Sequence, residues 1–518
     1  MSIARNTLVQ SSLTLGSRVL GMVRDILLVG RIGAGPIGDA WATAQQFPNL
    51  FRRIFAEGAF ASAFVPTYAR TLESEGPDAA KAVAQEALRV LFAATAVLTI
   101  VAQIFMPWVL LVIHGGQADN HRAYALAVLL TRITMPYLTF MAIAALLSGV
   151  LNSAERFILS AGAPTILNLC LIPAAFVSFE PVTTAKAAAV AYFIAGMLQA
   201  ALLWWGVRRQ NVRLGLIGWP RITPAVRRVM KLAIPGTIAA SGTQINIIVS
   251  QSLASFEVGA KSWLYAADRL YQLPLGLVGV AVGVAILPRL SRAARNEDHH
   301  TSQTTMDEGI GLAMALTLPA AVALLIAPVF LIEAFFVRGA FHGSDAAQSG
   351  GALFHFAWGV PAFVLIKVLA PAFFAREDTR TPMRFALVSV AINTVLGAGL
   401  FFWLNQHGTQ GFVGLAIATS LAAWVNALAL AGTLVARGWY HPGPVLISRI
   451  VRSLVASGLM GGVVWWLLQN FQWIRDNIID SKAFAAGIVI LAGGLTYAVA
   501  ALLTGAIRIR DIRQALRS

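Results

Sequence analysis

The chain has 518 residues, of which 58% are hydrophobic and only 12% charged, and its mean hydropathy is +0.72. Soluble proteins of this length carry about twice that charged fraction, so an ordinary soluble domain is excluded. Because the apolar runs are continuous rather than alternating, they predict an all-α polytopic membrane protein.

The net charge of +16 is large enough to raise the question of nucleic-acid binding. Most Arg and Lys residues, however, lie in short loops between the apolar runs, which is the distribution of a positive-inside bias. The charge therefore indicates orientation in a membrane, and no nucleic-acid partner is expected.

About fourteen apolar runs are long enough to cross a hydrocarbon core about 30 Å thick. Their approximate bounds are 7–32, 37–66, 86–113, 123–151, 158–179, 184–207, 228–255, 262–288, 308–336, 346–374, 382–404, 410–436, 446–470 and 483–506. Loops after even-numbered runs hold most of the arginines, whereas the opposite loops hold few cations, among them Lys186 and Lys261. This asymmetry predicts that both termini are cytoplasmic.

The sequence also repeats itself at an offset of about 222 residues, which relates Pro66 to Pro288 and Leu147 to Leu369. Each copy holds six predicted spans, an even number, so both copies have the same orientation. Two six-helix lobes followed by two extra helices is a transporter plan. The predicted divisions are an amino-terminal lobe at 1–215, a second lobe at 216–440 and the two last helices at 441–518.

Charged residues interrupt the first predicted span. Arg18 lies near its middle, and Arg24 and Asp25 follow within two turns. Ionised side chains near the centre of a bilayer are costly, so they normally face a cavity or a partner. The alternative for Asp25 is a structural salt bridge that holds helices together.

The second span carries a polar stripe at four-residue spacing, made of Gln45, Asn49, Arg53 and Glu57. Arg52 flanks the stripe, and Asp39 lies at the outer mouth of the span. The structural alternatives are an i,i+4 ion pair between Arg53 and Glu57, and a solvated helix-start role for Asp39.

The second half has its own charges within apolar runs, Asp268, Arg269 and Lys367. Because a guanidinium is a planar fork suited to phosphate oxygens, arginines in both halves predict a cationic cavity for a polyanion, a phosphate or pyrophosphate. No phosphate-binding loop or zinc motif is present, and histidines such as His114 fall mostly in loops. We therefore expect a transporter without catalytic residues, metal or cofactor.

Longer motifs resemble one family. They are SRVLG at 17–21, RD at 24–25, PNLFRRIFAEGAF at 48–60, ADRL at 267–270, VLAP at 368–371 and TP at 381–382. Together they resemble the MurJ/MviN family of lipid II flippases, and the resemblance extends over essentially the whole chain. It implies the fold of the MOP exporter superfamily, an inner-membrane location, and lipid II and bilayer lipid as partners, with cell-wall synthesis proteins as further candidates.

The resemblance also implies roles for the intramembrane polar residues. Pyrophosphate binding falls to Arg18, Arg24, Arg52 and Arg269. Gating or charge coupling is implied for Asp25, Asp39 and Glu57. The same role is expected of Arg53, Asp268 and Lys367 because they are charges within apolar runs, beside the polar stripe of Gln45 and Asn49. The last two helices would form a groove for the polyprenyl tail. Gln272 departs from the family pattern, which has an acid near this position.

The mechanism implied is alternating access, driven by the membrane potential, which contributes about 2.3 kcal/mol per charge per 100 mV. The sequence does not identify a coupling ion among Na⁺, Cl⁻ and H⁺. Three alternatives stay open: a flippase for another polyprenyl-linked saccharide, a drug exporter of the MATE type, and a scaffold for cell-wall synthases.

The cavity hypothesis predicts the effect of removing its charges. Alanine at Arg18, Arg24 or Arg269 should abolish function without loss of membrane insertion, because each guanidinium would bind the anionic head group. Growth of cells that depend on the variant, together with its amount in the membrane, measures this. Unimpaired growth with alanine at all three positions would contradict the hypothesis.

Overall fold

The fold is taken from a computed structural model that describes residues 3–55, 59–154, 156–216, 218–296, 298–471 and 482–506. Within these ranges the regular structure is helical, apart from one isolated β-bridge between Arg338 and Phe341. This confirms the predicted all-α class.

The helices follow one another along the chain. They are α1 (Ile3–Ile32), α2 (Pro36–Phe55), α3 (Ala59–Ser74), α4 (Pro77–His114), α5 (His121–Thr134), α6 (Tyr137–Ser153), α7 (Phe157–Ala174), α8 (Pro181–Arg208), α9 (Pro224–Ala254), α10 (Ala260–Arg295), α11 (His299–Ile326), α12 (Pro328–Phe336), α13 (Gly343–Ala357), α14 (Val360–Phe374), α15 (Arg380–Gln406), α16 (Phe412–Ala436), α17 (Pro444–Gln469) and α18 (Lys482–Leu503).

Every predicted span coincides with one helix or with two consecutive helices. In the described ranges, ten such segments are long and apolar enough to cross a membrane: α4, α5 with α6, α7, α8, α11, α13 with α14, and α15 to α18. The total of fourteen spans stays a prediction.

Several spans predicted as single helices are broken. The span at 123–151 divides into α5 and α6 beside Pro136, and the span at 308–336 divides into α11 and α12 before Pro328. Proline has no N–H to donate and its ring clashes with the preceding turn, so a helix interrupted there restarts with proline near its first position.

The helix boundaries follow the sequence repeat. The first residue of α4, Pro77, and that of α11, His299, are 222 residues apart, and so are the first residues of α5 and α13. The two broken pairs, α5 with α6 and α13 with α14, therefore occupy corresponding positions. This agreement supports the pseudo-repeat on which the two-lobe prediction depends.

The chain forms two compact units. Unit 1 comprises Met1–Ser262 and Arg338–Phe341, and unit 2 comprises Trp263–Val337 and His342–Ser518. The lobe boundaries at 215/216 and 440/441 stay a prediction.

In unit 1, α7 packs against α1 and α8, and α3 packs against α9. One apolar core is built around Phe64 and Leu147, and another around Leu110, Tyr137 and Tyr192. The rings of Tyr137 and Tyr192 meet edge to face with centroids 4.5 Å apart, which fixes α6 against α8.

In unit 2, α11 packs against α14 and α17, and α17 packs against α18. Its main core includes Met314, Val368 and Leu430.

Outside the segments that could cross a membrane, Asp378 joins the start of α15 to the end of α16. Hydrogen bonds from Thr381 and then from Arg437 hold the pKa of this carboxyl at about 2.

A close contact also sets the packing of α15 on α16. A Cβ added at Gly414 would lie 2.8 Å from Leu400 Cβ and 2.9 Å from Leu400 C, so only glycine allows this approach. At Gly432, further along α16, an added Cβ would meet nothing within 4 Å.

These two glycines give a matched pair of variants. Gly414→Ala should lower the thermal unfolding midpoint in detergent, because overpacking costs about 1–3 kcal/mol. Gly432→Ala should leave the midpoint unchanged or raise it, because alanine favours a helix over glycine by up to about 1 kcal/mol. Equal shifts for the two variants would show that the close contact does not limit stability.

Candidate functional site

The charges of the first span form a cluster in unit 1. Arg24 donates to Asp25 Oδ1 from Nε at 2.9 Å and from Nη2 at 2.8 Å. Its Nη1 donates to Asn168 Oδ1, also at 2.9 Å. The side chain of Asp25 is only 3% exposed and that of Arg24 12%. This ion pair joins neighbouring residues of α1, so the structural alternative for Asp25, a salt bridge that holds helices together, stays a prediction.

Asn168 is what fixes this cluster to a second helix. It lies in α7, in an otherwise apolar stretch, and its Nδ2 donates to Ser17 O in α1 at 2.8 Å. The Asn168 amide thus bridges two turns of α1. Because its oxygen accepts from one arm of the Arg24 guanidinium while Asp25 accepts from the others, the guanidinium is held in one orientation.

Arg18 lies on the same helix, and its side chain is exposed. On α2, Gln45 is buried, and Asn49 Nδ2 donates to Gln45 O at 2.9 Å. Arg52 and Arg53 belong to α2, but their side chains lie outside the described residues, as does the whole of Glu57. The predicted pair of Arg53 with Glu57 stays a prediction.

Asp39 is fully buried in the first turn of α2, so the solvated helix-start role is wrong. Its carboxylate accepts four hydrogen bonds within unit 1. Oδ2 accepts from Gln117 Nε2 and from Gly259 N, both at 2.7 Å, and Oδ1 accepts from Ser262 N at 2.9 Å and Ser262 Oγ at 2.8 Å. The carboxylate therefore joins the start of α2 to the start of α10.

In unit 2 the predicted residues lie on α10 and α14. The Arg269 guanidinium lies over the Tyr265 ring, 4.5 Å from its centroid, and Lys367 on α14 is half-buried. Asp268 accepts a hydrogen bond from the amide of Gln272, one turn further along α10. The neutral residue at 272 thus acts as a donor to the acid, a contact that a second carboxylate could not make without binding a proton.

Two further expectations are wrong. Lys261, expected in a loop, is fully buried in the first turn of α10, and His114, also expected in a loop, is fully buried in the last turn of α4. Sequence reasoning also missed Asn168 and Gln117. A lone amide in an apolar run was the available signal for Asn168, whereas the burial of Lys261 has no local signature.

The bridge by Asn168 can be tested through stability. Asn168→Leu keeps the volume and should cost about 1–3 kcal/mol, because it removes hydrogen bonds to a charged group and to Ser17. The cost should shrink in an Arg24→Met background, since the charged partner is then absent. Thermal unfolding of the four proteins measures the coupling, with Thr165→Val on the same helix as control. An unchanged cost in the Arg24→Met background would contradict the bridge.

The chain is similar to a described family and to named relatives. Residues 29–481 match the family described as lipid II flippase MurJ. A protein of Rhizobium tropici named probable lipid II flippase MurJ is 39% identical over 100% of this chain and 97% of its own length. The lipid II flippase MurJ of Burkholderia cenocepacia is 35% identical, with 96% of each chain covered.

Two solved structures show the same fold. A lipid II flippase MurJ in an inward closed conformation superposes with a TM-score of 0.78 at 23% identity, covering 98% of this chain and 99% of the other. An inward-facing multidrug resistance MATE transporter of the MOP superfamily gives 0.66 at 14% identity, covering 83% and 98%. The family match and the full-length relatives establish that the chain belongs to the lipid II flippase MurJ family.

Proposed function

We propose that this protein moves lipid II, the polyprenyl-pyrophosphate-linked precursor of peptidoglycan, from the cytoplasmic to the periplasmic leaflet of the bacterial inner membrane. The observation that carries the proposal is the full-length similarity to relatives named for lipid II flipping. No catalytic step is involved, because the substrate crosses the membrane unchanged.

In this proposal, arginines bind the pyrophosphate. Arg24 supports this role best, because Asp25 and Asn168 hold its guanidinium in one orientation while Asp25 offsets the cost of burying its charge. Arg269 is a second candidate, held flat against Tyr265. Arg18 and Arg52 complete the proposed set.

The direction of transport follows from the charge of the substrate. The pyrophosphate is an anion, and an inside-negative potential favours its outward movement by about 2.3 kcal/mol per charge per 100 mV. Alternating access would let the head group cross without exposure to hydrocarbon, while the prenyl tail stays in lipid. An ion that resets the empty carrier, whether Na⁺, Cl⁻ or H⁺, is compatible with this scheme but not required by it.

With both termini in the cytoplasm, the turn between α1 and α2 faces the periplasm. Asp39 would then close the periplasmic side, because its four hydrogen bonds hold the start of α2 against the start of α10. We call this set of contacts the Asp39 latch. Its opening would release the head group outward.

The last two helices have a distinct proposed role. α17 and α18 pack against each other and expose large apolar side chains, including Leu459, Trp466, Leu491 and Leu495. An exposed apolar face of this kind suits a hydrocarbon chain. We propose that α17 and α18 hold the polyprenyl tail of the substrate.

The direct test is acute depletion of the protein, followed by measurement of the lipid II that a periplasmic probe can reach. Exposure should fall while total lipid II rises, because the precursor is still made but is no longer moved. Arg24→Ala supplied in place of the parent chain should lower exposure at least about tenfold, since hydrogen bonds to a charged group are lost.

Arg213→Ala is the matched control, because Arg213 is an exposed arginine of the linker between α8 and α9. It should behave as the parent chain does. Unchanged lipid II exposure after depletion, in cells with no second flippase, would exclude this cargo. The same assay would then be applied to other polyprenyl-linked saccharides.

A further inference from the structure

A second buried cluster lies directly beside the Asp39 latch and contains a lysine. The ammonium of Lys261 donates to three acceptors: Thr43 Oγ1 at 2.9 Å, Ile113 O at 2.7 Å and His114 Nδ1 at 2.9 Å. Lys261, Thr43 and His114 are each buried, with exposures of 0%, 1% and 0%. One cation therefore joins α2, the end of α4 and the start of α10.

With Lys261 present as an ammonium, the hydrogen-bond roles in this cluster follow. An ammonium has three protons and no lone pair, so it can only donate. His114 Nδ1 must therefore accept, which makes the imidazole neutral with its proton on Nε2. The hydroxyl of Thr43 is used in both directions, because it accepts from Lys261 and donates to Asp39 O at 2.8 Å.

Charge balance links this cluster to the latch. A buried ammonium needs a buried counter-charge, and Asp39, one turn before Thr43 on α2, supplies it. The two groups do not touch, since the Asp39 oxygens are taken by Gln117, Gly259 and Ser262. Lys261 and Ser262 are adjacent in sequence, so the lysine fixes the backbone that carries two of the latch donors.

We propose that Lys261 is the positioning residue of the Asp39 latch, and that the neutral His114 ring makes the latch open in external acid. The proposal rests on the transport function and orientation proposed above. Lys261 touches no substrate in this scheme; it acts by holding the start of α10 where Asp39 can bind it.

Acid sensitivity follows from what faces His114. The groups that contact its ring are the Lys261 ammonium on α10, the Thr43 hydroxyl on α2, and Tyr124 on α5, whose ring stacks at 6.3 Å between centroids. The carboxylate of Asp39, one turn before Thr43 on α2, does not contact the ring; it is bound by Gln117, Gly259 and Ser262. No carboxylate binds the ring among the described residues, and its buried Nε2 makes no hydrogen bond there. A proton on Nδ1 would face the ammonium, and the two cations would repel.

These contacts determine whether external acid opens or closes the Asp39 latch. At neutral pH the imidazole accepts from Lys261 and the latch is closed. As external pH falls, protonation of His114 removes that acceptor and adds a like charge, so the open form gains population.

A buried cysteine next to Asp39 can report opening. Ala40 is fully buried, and Cys170 is the only native cysteine. We would place Ala40→Cys in a Cys170→Ala background and label intact cells with a membrane-impermeant maleimide at neutral pH. Lys261→Met should accelerate labelling at least about tenfold, because it leaves Asp39 as an uncompensated buried charge. Lys261→Arg, which keeps the charge, should be labelled at a rate between that of Lys261→Met and that of the parent.

The dependence of the labelling rate on external pH distinguishes the proposed role of His114 from a purely structural one, which would leave that dependence unchanged. In the parent reporter, labelling corrected for thiolate formation should rise as external pH falls from about 7.5 to about 5.5, the range in which histidine usually titrates. His114→Asn keeps a polar side chain that can accept from Lys261 but does not titrate, so its corrected rate should be flat. A cysteine in place of Val177, which is 65% exposed, supplies the correction.

Several results would overturn the proposal. Lys261→Met labelled as slowly as the parent would remove the positioning role, and equal pH profiles for parent and His114→Asn would remove the acid response. If Lys261→Met is absent from the membrane, Lys261→Arg and His114→Asn still decide the matter. Labelling that requires permeabilised cells would place the latch on the cytoplasmic side and overturn the proposal.

The readout does not depend on cargo. Labelling as expected, in a protein whose depletion leaves lipid II exposure unchanged, would keep the latch and exclude lipid II. Unchanged labelling in a protein that does move lipid II would exclude the latch alone.

Discussion

The architecture depends on one constraint: a charge removed from water must find its partners within the protein. Ion burial costs several kcal/mol per group even after relaxation, so Asp25, Asp39 and Lys261 can exist only where helices converge on them. Each is therefore a fixed point for the helices around it. Apolar packing against lipid tails offers little such direction, because lipid is as apolar as the side chains it touches. The buried charges therefore determine which helix faces pack together.

The positions of the helices could be predicted from the sequence because they follow from local composition. The continuous apolar runs located the spans, and the repeat offset of about 222 residues reappears in the starts of α4 and α11. The breaks within the spans could not be predicted from the sequence. Proline in a helix can bend it or end it, and at Pro136 the outcome depends on what neighbouring helices do with the freed backbone groups.

Of the candidate site too, part could be predicted from the sequence and part could not. Arg24 and Asp25 could be singled out because a charge in an apolar run is visible in the sequence itself. Asn168 could not be assigned as the partner of Arg24, since 144 residues separate them. Lys261 was predicted to lie in a loop because it falls between two apolar runs. Its burial is created by Ile113 and His114, nearly 150 residues earlier in the chain, and no local pattern encodes that.

The two broken helix pairs have a consequence for the ancestry of this protein. α5 with α6 and α13 with α14 are interrupted at corresponding places, and their first residues are 222 positions apart. A duplication would copy an interruption along with everything else, so the matching interruptions are what the predicted repeat requires. At the same offset the Arg24–Asn168 bridge has no counterpart, because Asn246 and Val390 stand at the corresponding positions; the interruption is common to both halves, whereas the bridge belongs to one.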